Sequence, residues 1–346
     1  MKIEKTVLRA IWPSLVQLER KIRAEYFNLG SSWTKQRYNE LDKYIKATLL
    51  DTYDIPGIEA SVKEELIALA VDESVGASRA MSFDGLATGI NTIELSLGQA
   101  TELIKFPAAG SPLNKWITNL GAGTANRLQA ELNQGWIMGK SSRDLANHFQ
   151  SVMRGKESEA ITLSRTWTHD VANRANERVF QENRDVIEGV EWSAVLDDRT
   201  CPICGPLDGT KYYFEPGERA GFDDIPAGVS GNRPPRHARC RCELLAITKS
   251  WADLVGVENA VGLEVLEERY RPYTLRGGRP VGKGGAKITE VGQHQGDFES
   301  WIKKHPSVLR DQVGATRFQM IQDGKVSYKD LLDSQGNFKT LKELRA

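Results

Sequence analysis

Apolar residues recur at spacings of three and four through most of the first half of the chain. In Lys5–Leu29 the positions Val7, Ile11, Leu15, Leu18, Ile22 and Tyr26 fall on one face of a helix. The same period returns at Tyr38, Leu41, Tyr44, Ile45 and Leu49, and again at Val62, Leu66, Leu69 and Ala70. Residues 1–110 therefore read as a helical bundle, with breaks expected at Asp54–Gly57 and Met81–Gly85. Core packing accounts for these stripes, and no cofactor motif interrupts them.

After a turn-rich joint at Pro107–Pro112, helical spacing resumes over Leu113–Met138. Gly139 is placed to end that helix and Ser141 or Ser142 to cap the next. A short helix is expected over Arg143–Val152 and a longer one over Lys156–Asn183, with Ile161, Ser164, Trp167, Thr168, Val171, Ala175 and Val179 along one side. His148 and His169 lie on these helices and read as surface or packing histidines. Residues 111–188 thus form a long-helix region.

The period changes at Gly189. Val190, Trp192, Ala194 and Leu196 alternate with less apolar neighbours, the pattern of a half-buried strand. Asp208-Gly209 suits a tight hairpin turn, Lys211–Phe214 is β-prone, Glu215–Pro235 is irregular, and Cys240–Ile247 reads as a last strand. Residues 189–250 make a β module too small to hold itself together by apolar burial alone. Residues 251–285 read as a helix (Trp251–Arg269) followed by a flexible basic linker, Arg271–Gly285, rich in glycine. Gly277–Lys283 has the spacing of a phosphate-binding loop, but Gly284 stands where Ser or Thr is needed and no strand is expected before it. Residues 286–346 read as a small helical appendage carrying Phe298, Trp301, Ile302, Val308, Leu309, Leu331, Leu332, Phe338, Leu341 and Leu344. The fold class is α+β, mainly α: an N-terminal helical region, a small zinc-stapled β module and a helical C-terminal tail.

The candidate chemistry is concentrated in that β module. All four cysteines, Cys201, Cys204, Cys240 and Cys242, and one of the five histidines, His237, fall within 42 positions of a 346-residue chain. Such crowding calls for a cause that needs thiols close together, and Zn²⁺ is the first candidate. A C-x-x-C pair lets two thiolates reach one ion from a tight turn, and His237 with Cys240 or Cys242 can complete a tetrahedron. In an extended segment Cys240 and Cys242 point to the same face, so the choice between them stays open. Disulfides fit less well, because Met1–Ala10 is charged and no apolar signal segment comes after it. With five candidate donors, a closed structural site is favoured over a catalytic one that keeps a position open for water.

Charge removes other classes. Forty-six basic residues balance 46 acidic ones, which argues against a general nucleic-acid coat or a membrane-surface protein. No run approaches 18 apolar residues, so nothing is expected to span a bilayer.

The order of parts resembles a known family. A long helix carrying Ser164-Arg165-Thr166, a strand with Glu191-Trp192, the run DDRTCPICGPLDG (Asp197–Gly209) and PPRHARCRCEL (Pro234–Leu244) are similar to the phage Mu F-like head morphogenesis family, over about residues 115–250. The segment Phe298–Leu332 is similar to the stretch C-terminal to this domain in Mu-like members. The resemblance implies a low-copy minor head protein of a tailed phage, residing in the capsid interior near the portal and in the host cytoplasm during assembly. It implies the portal protein and the major capsid protein as partners, and a role in DNA packaging or delivery. The basic linker offers a place for weak contact with packaged DNA. Helical stripes, with Trp116 and Trp136 as aromatic anchors, are the expected head-binding faces.

This reading admits two functions. The first is an assembly protein without catalysis, its zinc bracing a fold that lacks a large core. The alternative is a zinc-dependent nuclease or other DNA-processing enzyme, since Arg233, Arg236, Arg239 and Arg241 crowd the metal and could hold phosphates. The same arginines would also offset the negative charge of a thiolate-rich zinc site.

Overall fold

In a computed structural model of the protein, the described residues are 55–85, 92–109, 111–138, 142–214, 233–250, 270–277, 287–333 and 338–345, with isolated positions before residue 55. The helical stripes at Lys5–Leu29 and Tyr38–Leu49, the helix over Trp251–Arg269 and the loop over residues 215–232 lie outside them. The fold is α+β with two small sheets. Among the described residues no helix is long and apolar enough to cross a membrane.

Helix α1 spans Ile55–Gly85 and buries Ile58, Val62, Leu66, Ala70, Ser74, Ser78 and Met81 at near-regular spacings of four. The start agrees with the break expected at Asp54–Gly57. The helix ends at Gly85, the last residue of the break expected over Met81–Gly85, with Met81 as the last member of the buried stripe. A short α2 (Leu97–Leu103) opens with a full capping box, Ser96 and Gln99 satisfying each other's backbone N–H. The Pro107–Pro112 joint is a tight turn closed by an Ala108–Ser111 bridge, and α3 comes next over Leu113–Ile137.

Two helices are expected from the sequence between Arg143 and Asn183. The structure has one, α4, Ser142–Glu182, 41 residues long. Gly155 lies inside it with no neighbour within 4 Å of the place a Cβ would occupy. One glycine lowers helix propensity by about 1 kcal/mol relative to alanine, too little by itself to break a helix whose C-terminal part is buried. Beyond Ala160 this helix is buried over much of its circumference, including the polar Ser164, Thr166, Asp170, Asn173, Glu177 and Gln181.

The chain forms two compact units. The first comprises Met1–Val75, Leu95–Ala175 and His237–Arg239, and the second Gly76–Glu94, Asn176–Arg236 and Cys240–Ala346. In the second unit β1 (Ile187–Ser193) is the centre of a three-stranded antiparallel sheet, flanked by β3 (Lys211–Tyr213) and β4 (Glu243–Thr248). Val190, Trp192, Ala194 and Leu196 are all buried, as their alternation requires. The strand does not run unbroken: Leu196–Asp197 forms β2, which leaves for a different sheet.

That second sheet corrects the expectation of a flexible basic linker. Tyr270–Gly277 is a strand, β5, paired antiparallel with β6 (Lys287–Gln295) and parallel with β2. Residues 278–286 of the expected linker, and with them most of the phosphate-loop look-alike, lie outside the described residues. The tail is likewise more than helical. Behind β6 come α5 (Phe298–Lys303) and α6 (Pro306–Gln322), the latter two helical pieces meeting at Gly314. Phe298, Trp301, Ile302, Leu309, Val313, Tyr328 and Leu331 pack with Leu196 into one core, against which Tyr273 and Leu275 of β5 also lie.

Candidate metal centre

Strand pairing brings the two halves of the cysteine stretch together. β2 delivers the chain to Cys201, and β4 begins at Glu243, one residue after Cys242. Since β4 runs beside β1 with Trp192 opposite Leu244, the Cys240–Cys242 segment enters the sheet at the end where Cys201–Cys204 leaves it. The C-x-x-C turn is closed by N–H donation from Cys204 and Gly205 to the Cys201 carbonyl, at 3.1 and 3.0 Å. A 3-10 turn, Gly205–Leu207, comes directly after it.

Cys204, Cys240 and Cys242 are buried and Cys201 is half-buried, and none of the four forms a disulfide. The sulfurs of Cys204, Cys240 and Cys242 lie within 4.8 Å of one another, and Cys201, Cys204 and His237 meet the same limit. Cys204 Sγ and Cys240 Sγ are 3.8 Å apart. A tetrahedral ion with metal–sulfur bonds of about 2.3 Å separates its sulfurs by about 3.8 Å, so this pair already stands at the edge length of a zinc thiolate tetrahedron. His237 Nδ1 lies 2.9 Å from the carbonyl oxygen of Ala238. A carbonyl only accepts, so this bond fixes the proton on Nδ1 and leaves the lone pair of the neutral ring on Nε2, the arrangement common to metal-bound histidines.

The thiols disagree about protons in a way that a cation would resolve. Hydrogen bonds with Cys201, Cys240 and Cys242, together with burial, push the Cys204 thiol up. Cys240 is pushed down, because Cys204 and Cys242 donate to its sulfur and the backbone N–H groups of Cys242 and Arg236 do the same, against the effect of burial. Cys242 is pulled down by Cys204, but Cys240 and burial outweigh that and the thiol is raised. One thiolate thus forms at the expense of its neighbours' acidity. A divalent cation placed among them stabilises all the thiolates at once. The donor types suit Zn²⁺, and the five residues singled out from the sequence fall into two groups of three that share Cys204. Cys240 and Cys242 both reach Cys204, so neither is removed from the set of donors.

Arg241 lies between the last two cysteines, and along Cys240-Arg241-Cys242 its guanidinium goes where the thiols do not. It grips Asp197 with two bonds, 2.6 and 2.7 Å, and Arg276 of β5 adds a third at 3.0 Å. Burial pushes the Asp197 carboxyl up, yet Arg241, the backbone N–H of Arg199 and Arg276 hold it below its ordinary value. Asp197 raises Arg241 in return, and the Cys242 and Cys240 charges add to that. Arg233 and Arg239 of the run also have protein partners. Arg233 pairs with Glu177 of α4. Arg239, at a positive φ of 63°, bonds Thr162 Oγ1 at 2.7 Å and Ser158 Oγ at 2.7 Å, and its N–H donates to Thr166 Oγ1.

Asp208, expected only to serve its turn, is fully buried and accepts four bonds. They come from Ala194 N at 2.6 Å, Phe298 N at 2.6 Å and Arg271 Nη1 and Nη2 at 2.7 and 3.1 Å. Asp197 and Asp208 therefore bracket the C-x-x-C turn with two buried carboxylates, each answered by an arginine of β5. His148 Nδ1 lies 3.1 Å from a carboxylate oxygen of Glu131 on α3.

Residues 126–245 match the family model described as Phage Mu protein F like protein. The chain carries a Mu F-like segment. No curated protein and no solved structure matches the chain. The Mu F-like segment runs from within α3 into β4, and so contains all five candidate ligands, Asp197, Asp208 and Arg241. Arg271, Arg276, β6 and the C-terminal core lie beyond it.

Proposed function

We propose that the protein is a minor head protein of a tailed phage, acting in procapsid assembly at the portal and capsid interior and in DNA packaging or delivery, with one structural Zn²⁺. The observation that carries this reading is the coincidence of the Mu F-like match with the cysteine centre: the donors all fall inside the matched segment. Cys201, Cys204, His237 and one of Cys240 and Cys242 would hold the ion. Its chemistry there is to tie the turn after β2 to the segment entering β4, in a sheet whose outer strands are only three and six residues long. The partners are the portal protein and the major capsid protein, through the helical part of the chain. Trp116, half-buried on α3, remains a candidate anchor, while the side chain of Trp136 lies outside what the structure describes.

The occupied arginines support assembly over phosphate chemistry. A nuclease would need Arg233, Arg239 or Arg241 turned toward substrate, and each instead serves a side chain of the protein itself. The test is to co-express the tagged full-length chain with portal and capsid proteins and to assay the purified protein on plasmid DNA with Zn²⁺, Mg²⁺ or Mn²⁺. The chain is expected in the particles, with the plasmid intact. Absence from the particles, or cleavage abolished by His237→Ala, would overturn the reading.

A further inference from the structure

The chain beyond β4 lies outside the Mu F-like segment, yet its contacts with the ligand loop are dense and specific. Gly205, directly after Cys204, has its backbone against the C-terminal core. A Cβ there would sit 2.7 Å from the Phe298 ring and 2.8 Å from the Tyr328 hydroxyl. Gln312 Nε2 of α6 donates to the Thr200 carbonyl at 2.8 Å, and Tyr328 Oη bonds Gln312 Oε1 at 3.0 Å. On one side of the turn Asp208 takes the first N–H of α5 and the guanidinium of Arg271. On the other side Asp197 is shared between Arg276 of β5 and Arg241, the residue that separates two ligand candidates.

From these contacts we infer that the ligand loop is the docking platform of the C-terminal module, and that metal occupancy holds that module in place through Arg241. The inference rests on the metal reading above and gives it a consequence. The buried Asp197 carboxylate accepts locally from Arg199 N–H and the Thr200 hydroxyl, and its two remaining partners are the cations Arg241 and Arg276. Arg276 is fixed by its strand. Arg241 has no strand of its own and is aimed by the two cysteines that flank it. A bound ion immobilises whichever of those cysteines it takes as a ligand and so keeps the adjacent Arg241 on Asp197, which in turn anchors β5. Without the ion, the segment Cys240–Cys242 loses the constraint that aims the guanidinium. Leaving a buried carboxylate with one partner removed typically weakens a structure enough to raise local opening by roughly 100-fold.

The experiment is hydrogen exchange read by mass spectrometry on the full chain, with bound metal counted separately by elemental analysis. Peptides covering 298–331 report on the C-terminal core and those covering 113–137 serve as the reference. Stripping the metal with a chelator, under reductant, is expected to speed exchange in 298–331 by roughly 100-fold while 113–137 changes by less than about threefold. Asp197→Asn is expected to keep its metal and to show the same selective loss. Should that variant fail to fold, Arg276→Gln removes only the β5 arm and is expected to give about a tenfold loss in the same peptides. Unchanged protection of 298–331 after stripping, or equal acceleration in both regions, overturns the inference. So does unchanged protection in the Arg276→Gln variant. Protein purified without chelator that holds no metal refutes the metal reading itself, and the elemental count identifies that failure separately.

Discussion

Replacing Asp208 with asparagine removes one charge and almost no volume, so its effect isolates what the carboxylate does. The side chain is fully buried, and its four bonds come from two backbone N–H groups and both terminal nitrogens of Arg271. An asparagine offers one oxygen and one NH₂, and whichever way it is turned the NH₂ faces at least one donor. Leaving a buried donor unsatisfied costs about 1–3 kcal/mol, and removing the partner of a buried charge about 3–5 kcal/mol. The Arg271 side chain is 22% exposed, so water recovers part of the second figure. A net loss of about 3–4 kcal/mol is expected for the second unit. For a domain of this size that lowers Tm by roughly 6–16 °C. Urea unfolding followed by the fluorescence of buried Trp192 and Trp301 measures it, with m held constant between the two proteins. A change below about 1 kcal/mol would refute the view that this carboxylate organises the junction between Ala194, Phe298 and β5.

Cys204 belongs to both candidate ligand groups, so Cys204→Ser is expected to reduce bound zinc below about half an equivalent, read by elemental analysis, and to lower stability more than any substitution on the exposed face of α3. Gly205→Ala drives a methyl into the Phe298 ring and is expected to cost about 1–3 kcal/mol, whereas Gly155→Ala, with open space around it, is expected to stabilise α4 by about 0.5–1 kcal/mol; thermal melts by circular dichroism distinguish the two signs. Asp197 has its pKa depressed in the folded state, so its contribution is present above the unfolded value of 3.8 and is lost as pH falls through the lower folded value. Stability should therefore decline below about pH 4 in a way that Asp197→Asn flattens, measured as the urea midpoint at successive pH values.

How much of this is legible in the sequence depends on whether burial and polarity agree. The stripe Val62, Leu66 and Ala70 and the alternation Val190, Trp192 and Ala194 are apolar residues that are buried, and they announce a helix and a strand correctly. The five ligand candidates are legible as a group because their crowding into 42 positions singles them out. β5 is not, since Arg271 and Arg276 carry charge in a glycine-rich context and read as solvent-exposed linker, when in the structure each reaches a buried aspartate. Periodicity has no means of recognising a cation that is buried because it is paired. The signal that could have found it is the pair Asp197 and Asp208, each four residues outside the C-x-x-C motif, two acids beside a site that already gathers negative charge. α4 is read as two helices, Arg143–Val152 and Lys156–Asn183, where the structure has one, since the propensity lost at a single glycine such as Gly155 seldom ends a helix.

The placement of those two acids explains why a neutral chain concentrates arginine around its cysteines. A centre of three thiolates and one imidazole around Zn²⁺ carries one negative charge, and Asp197 and Asp208, both buried nearby, add two more. Such a cluster is tolerable only if cations share the burial, and the structure supplies Arg241, Arg271 and Arg276 at bond distance to the two aspartates. Two of these three arginines come from β5, outside the Mu F-like segment. The charge balance of a zinc-loaded centre would thus draw two of its three compensating cations from the C-terminal module. A truncation ending near residue 250 would keep every ligand and lose two of the three compensating charges. It should retain its candidate zinc donors while leaving Asp197 with Arg241 as its one remaining cation of the pair and Asp208 without its arginine.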